Sequence, residues 1–197
     1  MGGVAKGLLV YDGLTLIERV LGACRAAADP GALQHVYLVG NAAPYAATGL
    51  PHLDDSPAGL GPIGGLRALL VQARSLGVDA VAVAVDLPYL RERLVRRLCL
   101  EQPGVAALAP RQAERWQPLF ARYQPEAVLP VLEQALTAGQ TALQSIFRGL
   151  QAGRAAFVES ANGAAPRASE LALDPDEEHE LRDWDSPDDM STAVRTW

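Results

Sequence analysis

Apolar positions along the chain repeat with two different periods, and each period predicts one kind of element. From Thr15 to Ala27 they recur at helical spacing, with a Thr15–Glu18 capping box at the start and Asp29-Pro30-Gly31 at the end. The same spacing predicts further helices at residues 62–76, 90–100, 125–138 and 141–151. Gly77 directly follows the first of these, as expected of a glycine that ends a helix.

Short runs of β-branched and small apolar residues lie between these helices. Residues 78–85 are nearly all apolar, which is typical of a strand buried on both faces of a parallel sheet. Shorter strands are predicted at residues 35–40, 104–109, 118–123 and 155–159. Residues 161–168 predict a loop of small residues, and Ser186-Pro187 the start of a last short helix. Strands that alternate with helices indicate a layered α/β fold with a mostly parallel sheet.

Composition places the chain among globular proteins with a sizeable core. Its 197 residues, 49% of them hydrophobic, fit one domain, or one large α/β domain with a small appendage. No apolar run is long enough to cross a membrane, and no signal-peptide pattern follows Met1. Cys24 and Cys99 lie in apolar helical patterns without metal-type spacing, which predicts buried, reduced thiols and a cytoplasmic protein.

The net charge of −6 is unevenly distributed along the chain. Residues 1–167 hold 15 basic and 13 acidic residues, a balance of +2, whereas residues 168–197 hold 2 basic and 10 acidic residues, a balance of −8. The first part therefore tolerates an anionic small ligand but does not have the charge of a nucleic-acid-binding protein. One predicted helix carries Arg91, Arg93, Arg96 and Arg97. They form either a solvated helix face or a docking surface for an acidic partner or a phosphorylated substrate.

Polar residues follow the predicted strands at positions where ligands of parallel sheets bind. Asn41 and Asp86 each come directly after a strand, and Asp55 precedes a glycine-rich loop. A carboxylate that leaves an apolar strand, as Asp86 does, is costly to desolvate unless it meets a cation or solvent. Mg²⁺ held by one or two carboxylates and substrate phosphates would satisfy it. The alternative is that Asp86-Leu87-Pro88 is only a turn signal.

The glycine-rich loop, residues 59–65, opens the predicted helix at residues 62–76. Its glycines match the dinucleotide fingerprint, but no buried strand immediately precedes it and Pro62 has no N–H to offer a pyrophosphate. This favours a helix amino terminus near an anion or a nucleobase edge over a dehydrogenase site. Lys6, the only lysine in the chain, follows Gly2-Gly3 closely, where a phosphate could approach the backbone.

Five segments along the chain carry a resemblance to a known family. They are Met1-Gly2-Gly3-Val4-Ala5-Lys6-Gly7-Leu8-Leu9, Gly61-Pro62-Ile63-Gly64-Gly65-Leu66 with Asp55 upstream, Val85-Asp86-Leu87-Pro88-Tyr89, Gln117-Pro118-Leu119, and Asp183-Trp184-Asp185-Ser186-Pro187-Asp188-Asp189-Met190. Together and in this order they resemble the molybdenum cofactor guanylyltransferase family, the MobA-like nucleotidyltransferases. The resemblance covers essentially the whole chain, and its first segment matches the second half of the family's phosphate loop.

The resemblance implies a three-layer, Rossmann-like nucleotidyltransferase fold, with residues 1–197 as a single domain and residues 168–197 as its acidic closing segment. It implies Mg²⁺-dependent transfer of GMP from GTP to the terminal phosphate of molybdopterin, with release of pyrophosphate. Cofactor-biosynthesis proteins and acceptor molybdoenzymes would be the protein partners, with no nucleic acid and no membrane involved. The alternatives are a cytidylyl-transferring or other nucleotidyltransferase of the same fold, and a non-catalytic nucleotide-binding homologue.

The resemblance also implies roles for individual residues. Lys6 and Asp86 would be catalytic, Lys6 on the triphosphate and Asp86 on Mg²⁺. Asp185 is a second candidate metal ligand, and Asp183 and Asp185 would lie on the pterin side. Asn41 and Asp55 would face the guanosine. The full set of candidate GTP-binding residues is Gly2, Gly3, Lys6, Asn41, Asp55, Gly61, Pro62, Gly64 and Asp86.

Two departures from the family pattern carry physical consequences. The family's first strand and its Leu-Ala-Gly-Gly precede the segment where this sequence begins, so we expect a sheet that lacks its first strand. Each backbone group left buried and unpaired beside that position costs about 1–3 kcal/mol. Ala5 stands where the family usually has Asp, and Asp183 and Asp185 replace two asparagines. The added negative charge suits a metal better than an anionic substrate.

Overall fold

The computed structural model describes residues 5–28, 35–152 and 167–184. Its helices are α1 (Leu16–Ala27), α2 (Pro62–Leu76), α3 (Glu92–Leu100), α4 (Pro125–Thr137), α5 (Gln144–Gln151) and α6 (Pro175–Glu180). Its strands are β1 (Val10–Tyr11), β2 (Leu14–Thr15), β3 (Leu38–Val39), β4 (His52–Leu53), β5 (Ala80–Val83), β6 (Ala107–Ala109), β7 (Arg111–Gln112), β8 (Arg115–Trp116), β9 (Phe120–Tyr123) and β10 (Ala168–Glu170). Two short 3-10 helices, Lys6–Leu8 and Ala43–Thr48, complete the regular structure of these residues.

The main sheet has four strands in the order β10-β6-β9-β5. β10 pairs parallel with β6, and β9 pairs antiparallel with both β6 and β5. Three of the four strands therefore share one direction, and β9 is the exception within the predicted, mostly parallel sheet. β3 and β4 form a separate parallel pair, while β1–β2 and β7–β8 are antiparallel hairpins.

Two apolar cores lie on opposite faces of the main sheet. In β6 the side chains of Ala107 and Ala109 belong to one core and Leu108 to the other, as the two-residue period of a strand requires. Helices α2, α4 and α5 bury their apolar residues in the first core, and α1 and α3 bury theirs in the second. This arrangement of helix, sheet and helix confirms the predicted three-layer α/β fold.

Local signals place several elements well. The Thr15–Glu18 capping box is formed, with both reciprocal hydrogen bonds present, and α2 spans the predicted residues 62–76. Gly77 adopts the left-handed conformation (φ 68°) that ends α2. The other predicted helices and strands among the described residues are present but shorter by up to three residues at an end. The strand predicted at residues 155–159 and the helix predicted from Ser186 lie outside the described residues.

Some elements correct the sequence-based prediction. Ala168 is not the last residue of a loop, because it begins β10, whose pairing with β6 depends on a distant part of the chain. Helix α6 is not predicted from periodicity, although Asp174 and Glu177 form a capping box around it and Pro175 occupies its first position. The β1–β2 hairpin, which the sequence analysis did not predict, turns at Asp12-Gly13. Asp-Gly is a common sequence in two-residue hairpin turns.

A cavity of about 580 Å³ lies between β3 and β5, closed on its faces by α1 and α2. Among the described residues, β3 pairs only with β4 and β5 only with β9, so each strand turns an unpaired edge to this β3–β5 cavity. One strand residue fills a space set by the distance between strands (about 4.8 Å), the rise per residue (about 3.3 Å) and the distance between layers (about 10 Å). The volume of the cavity corresponds to about four such residues. The expected gap in the sheet, with unpaired ladder groups on both neighbours, is thus present in the part of the chain that the structure describes.

Across residues 5–28, 35–152 and 167–184, no helix combines the length and the apolar character needed to span a bilayer.

Candidate functional site

Asp86 and Lys6 meet beyond the carboxyl end of β5. Lys6 Nζ donates to Asp86 Oδ2 at 3.2 Å, although the two residues are 80 positions apart. The Lys6 side chain is 36% exposed and that of Asp86 20%, so the pair is only partly screened by water. The only lysine of the chain and the carboxylate that follows its most apolar strand therefore form one ion pair, open to a ligand at the sheet edge.

Gly7 brings Lys6 close to β5. Its backbone N–H donates to the Tyr45 hydroxyl at 3.2 Å. A Cβ at this position would lie 2.7 Å from both the Tyr45 ring and the Val85 side chain. Only glycine allows this close approach without displacement, and the approach holds the 3-10 turn of Lys6 against the strand end. Tyr45 is a site residue that the sequence analysis did not single out.

Asn41 and Asp55 follow the carboxyl ends of the parallel strands β3 and β4 and line the β3–β5 cavity together with Pro62. Asn41 Oδ1 accepts the backbone N–H of Ala43 at 3.2 Å, which orients the side chain in an Asx turn. The Asp55 carboxylate lies beside Gly65 in the first turn of α2, where the helix dipole favours negative charge. The structure therefore gathers the three residues at one edge.

The glycines of the loop before α2 mainly shape the backbone. Gly61 caps α2 at φ 68°, and Gly64 N–H donates to Gly61 O at 3.0 Å. A Cβ at Gly64 would lie 2.4 Å from Pro57 O, so the preceding segment can approach α2 only because Gly64 has no side chain. Pro62 lines the β3–β5 cavity, whereas Gly61 and Gly64 do not and hold Pro62 in place.

A second opening of about 510 Å³ lies between the β7–β8 hairpin and the amino end of α5. We call it the hairpin groove. Asp183 and Pro62 line it, so it borders the β3–β5 cavity through Pro62. Asp183 is followed by Trp184, which is 3% exposed and whose backbone N–H donates to Asp86 O at 3.1 Å. Part of the acidic closing segment is therefore anchored on the Asp86 turn.

Aromatic rings surround this anchor. Trp184 meets the rings of Tyr11 and Tyr89 edge-on, at centroid distances of 5.1 and 6.3 Å, and Tyr89 stacks on His179 at 4.5 Å. Such edge-to-face contacts add to the apolar burial of Trp184. Gly2, Gly3 and Asp185 lie outside the described residues. Of the other predicted residues, Lys6, Asp86 and Asp183 lie near the end of β5, and Asn41, Asp55 and Pro62 line the β3–β5 cavity.

The arginines of α3 are partly engaged within the fold. Arg97 pairs with Glu101 at 2.6 Å and with the buried carboxylate of Glu177, and hydrogen bonds to both carboxylates raise the pKa of the Arg97 guanidinium. Arg96 Nη2 donates to Ala26 O at 3.2 Å. Arg96 and Arg97 are therefore engaged within the fold, which neither the predicted solvated helix face nor the predicted docking surface describes, whereas Arg91 and Arg93 are exposed.

Both cysteines are free, with Cys24 buried and Cys99 half-buried. Burial raises the pKa of each thiol from its ordinary value of 9.0 to about 11. The thiols are therefore protonated at neutral pH and react slowly as nucleophiles. The predicted burial holds for Cys24, whereas Cys99 is only half-buried.

An α/β fold of three layers, with a lysine–carboxylate pair and a cavity at the carboxyl edge of its strands, suits a protein that binds an anionic ligand at the sheet edge. The chain belongs to the MobA-like NTP transferase family, whose profile matches residues 1–156. This membership rejects the dehydrogenase interpretation of the glycine loop and confirms the expected class of enzyme.

Individual relatives that resemble the chain in sequence carry the name molybdenum cofactor guanylyltransferase. The chain is 38% identical over 146 residues, 73% of each chain, to the molybdenum cofactor guanylyltransferase of Pseudomonas putida KT2440. It is 37% identical over 115 residues to that of Rhodobacter capsulatus, covering 53% of this chain and 54% of the relative.

Solved structures share the fold at lower sequence identity. Molybdopterin-guanine dinucleotide biosynthesis protein A of Archaeoglobus fulgidus aligns with a TM-score of 0.66 at 21% identity, over 97% of this chain and 89% of that one. The 2-C-methyl-D-erythritol 4-phosphate cytidylyltransferase of Thermus thermophilus aligns with a TM-score of 0.61 at 18% identity, over 95% and 91% of the two chains. These likenesses establish the nucleotidyltransferase fold.

Proposed function

We propose that this chain transfers GMP from GTP to the terminal phosphate of molybdopterin and releases pyrophosphate. The observation that carries the proposal is the Lys6–Asp86 ion pair at the end of β5, beside a cavity lined by Asn41, Asp55 and Pro62. The names of the relatives from Pseudomonas putida and Rhodobacter capsulatus support the guanylyl group and the acceptor.

In this reaction an oxygen of the acceptor phosphate attacks the α-phosphorus of GTP. A new P–O bond forms at the α-phosphorus. The bond between the α-phosphorus and the oxygen that bridges it to the β-phosphorus breaks, and pyrophosphate leaves with that electron pair. Such a transfer requires positioning and neutralisation of charge rather than a nucleophilic side chain. The Lys6 ammonium would supply the positive charge, and Asp86 holds it at the sheet edge before the nucleotide binds.

The donor set at this edge fits Mg²⁺. Mg²⁺ is commonly held by one or two carboxylates together with substrate phosphates and water. Asp86 offers one carboxylate there, and the described residues contain no cluster of three acidic, histidine or cysteine side chains that would hold a metal by themselves. Asp86 would hold the ion, with Asp185 as a second candidate ligand, and the bound ion would neutralise charge on the phosphates.

The choice of base follows from hydrogen-bonding chemistry at Asp55. Guanine presents two adjacent donors, its N1–H and its 2-amino group, and an ionised carboxylate accepts both. Cytosine and adenine present an amino group next to an acceptor nitrogen, which would face a carboxylate oxygen unfavourably. Asp55 is half-buried beside the first turn of α2. It would therefore select guanine, because the other bases would leave one of its carboxylate oxygens without a hydrogen-bond donor.

Titration calorimetry with GTP, CTP and ATP in the presence of Mg²⁺, followed by a pyrophosphate-release assay with molybdopterin, tests this function. We expect GTP to bind most tightly and pyrophosphate to be released only when GTP and molybdopterin are both present. Tighter binding of CTP would favour the cytidylyl alternative, which the cytidylyltransferase fold neighbour motivates. GTP binding without release of pyrophosphate would identify a non-catalytic homologue.

A further inference from the structure

Both oxygens of the Asp55 carboxylate are available to a ligand. Asp55 Oδ1 lies 3.0 Å from the position that a Cβ would take at Gly65 and 3.3 Å from the corresponding position at Gly40, so two glycines leave room for it. No residue in the described part of the chain donates a hydrogen bond to this carboxylate. Its position therefore depends on the backbone that carries it.

Ser56, the next residue along the chain, is tied to α2 twice. Its backbone N–H donates to Gly64 O at 3.1 Å. Its hydroxyl oxygen accepts a hydrogen bond from Arg67 Nη1 at 2.9 Å. Gly64 and Arg67 are three positions apart, so they lie on the same side of the helix. The segment that carries Asp55 is thus held to α2 by one backbone bond and one side-chain bond.

The Arg67 guanidinium is itself oriented from the far side. Its Nε donates to Glu133 Oε1 on α4 at 2.6 Å, and the Arg67 side chain is 29% exposed. A planar guanidinium that binds a carboxylate through one N–H presents its other N–H groups in fixed directions, and Nη1 is directed at Ser56. A continuous series of contacts therefore runs from α4 through Arg67 to the residue next to Asp55.

These supporting side chains lie behind Asp55 and not in the openings of the molecule. Asp55 lines the β3–β5 cavity, whereas Ser56, Arg67 and Glu133 line neither that cavity nor the hairpin groove. Arg67 also belongs to neither apolar core. Any influence of Arg67 on a bound nucleotide is therefore indirect and passes through the position of Asp55.

We propose that Arg67 is a positioning residue for base selection, which acts through Ser56 to hold the Asp55 carboxylate in the plane of the guanine edge. This role rests on the proposed function, since Asp55 is the residue assigned there to guanine. The N1–H and the 2-amino group of guanine require both carboxylate oxygens at once. Selection therefore depends on the orientation of the carboxylate as well as on its presence, because hydrogen bonds weaken steeply away from linear geometry.

Calorimetric titration with GTP and with inosine triphosphate (ITP), both with Mg²⁺, tests this role, because hypoxanthine keeps the N1–H of guanine and lacks its 2-amino group. A hydrogen bond to a charged partner predicts that the unsubstituted chain binds GTP about 10- to 100-fold more tightly than ITP. Arg67→Ala and Ser56→Ala should each lower this ratio below about 5-fold, since a displaced carboxylate can still accept one N–H but not both groups. The kcat for pyrophosphate release should stay near its original value, because the Lys6–Asp86 pair is untouched.

Three comparisons separate positioning from a general effect on the fold. Both nucleotides are measured on the same variant, so a loss of stability cancels in the ratio. Arg67→Lys should give an intermediate ratio, because it keeps the charge and loses the planar fork that reaches Ser56 and Glu133 together. Arg74→Ala is the matched control and should keep the original ratio, since Arg74 is an exposed arginine of the same helix that lines neither opening.

A double variant shows whether the two residues act through one bond. Arg67→Ala combined with Ser56→Ala should lower the ratio no further than either single substitution, because both remove the same hydrogen bond. Additive effects would instead show that the two residues act independently, and would overturn the proposed role of Arg67.

Two further patterns of result would also overturn the role of Arg67, and they differ in what they imply for the reaction. If the unsubstituted chain prefers GTP and Arg67→Ala keeps the full ratio, or Arg74→Ala loses it equally, Arg67 does not position Asp55 and the proposed function stands. If the unsubstituted chain binds GTP and ITP equally, or binds CTP more tightly, the assignment of Asp55 to guanine fails and the role of Arg67 fails with it.

Discussion

Individual side chains at the carboxyl edge of the sheet carry the chemistry proposed for this chain. Asp86 is the most consequential of them, because it pairs with Lys6, follows β5 directly, and receives the Trp184 anchor on its backbone. Its carboxylate is partly exposed and belongs to neither apolar core, so its removal affects charge far more than packing.

We therefore expect Asp86→Ala to lower Mg²⁺-dependent pyrophosphate release by at least about 100-fold, in the range of losses when an electrostatic group of an active site is removed. The free energy of unfolding, from urea titration, should change by no more than about 1 kcal/mol. Asp86→Asn, which keeps the shape, separates charge from volume. Full activity of either variant would show that Asp86 is not the proposed Mg²⁺ ligand.

Lys6 is expected to act on the nucleotide rather than on the acceptor. Lys6→Ala should weaken GTP binding by about 10- to 100-fold, since a charge-assisted hydrogen bond contributes about 1.5–3 kcal/mol. Lys6→Arg should recover part of the affinity. Calorimetric titration measures both, and a Kd for GTP unaltered by Lys6→Ala would contradict the role.

Between elements, α3 and α6 are joined by charge. The Arg97 guanidinium pairs with Glu101 on its own helix and with Glu177 on α6, whose side chain is 3% exposed. Glu177 also forms the capping box of α6 with Asp174, so one carboxylate holds both the helix start and the contact between helices. One α3 arginine is thus a structural residue.

Removing Arg97 leaves the Glu177 carboxylate buried without its cation. Breaking a buried pair in this way costs about 3–5 kcal/mol, and the partial exposure of Arg97 lowers our expectation for Arg97→Ala to about 2–3 kcal/mol in the free energy of unfolding. Arg93→Ala, on the exposed face of the same helix, should change it by less than about 0.5 kcal/mol. Equal effects of the two variants in urea titration would argue against the ion-pair account.

For the molecule as a whole, the β3–β5 cavity divides the strands into two groups, and both cysteines line it. Their raised pKa values, about 11, mean that the folded state binds these protons more tightly than the unfolded chain. Above pH 9 the unfolded chain loses them first, so this contribution to stability falls as the pH rises from about 9 to about 11.

The same shift governs thiol reactivity. We expect alkylation of Cys24 and Cys99 by iodoacetamide to be slow at pH 7.5, where nearly all of each thiol is protonated, and to rise until about pH 11. Mass spectrometry of each site, with Cys24→Ser to isolate Cys99, measures the profiles. Alkylation in urea, where the ordinary pKa returns, is the control, and identical profiles with and without urea would refute the shift.

Elements with local stop and start signals are predictable, and those held by distant partners are not. Helix α2 lies between Pro62 and Gly77, so its bounds follow from backbone chemistry alone. Strand β10, Ala168–Glu170, has no apolar pattern of its own and is extended because β6 offers a parallel edge. The candidate site divides in the same way. Asp86 can be predicted as a carboxylate that follows an apolar strand, whereas Tyr45 joins the site only through its contact with Gly7, 38 positions away.

The family, the order of helices and strands, and the candidate residues Lys6, Asn41, Asp55 and Asp86 follow from short segments, because caps, periodicity and motifs are properties of neighbouring residues. Tertiary structure alone decides that Lys6 meets Asp86 across 80 positions, that Arg97 is paired within the fold, and that the hairpin groove borders the sheet edge. Only the tertiary structure determines these three arrangements, because ion pairing and desolvation depend on which distant side chains the folded core brings together.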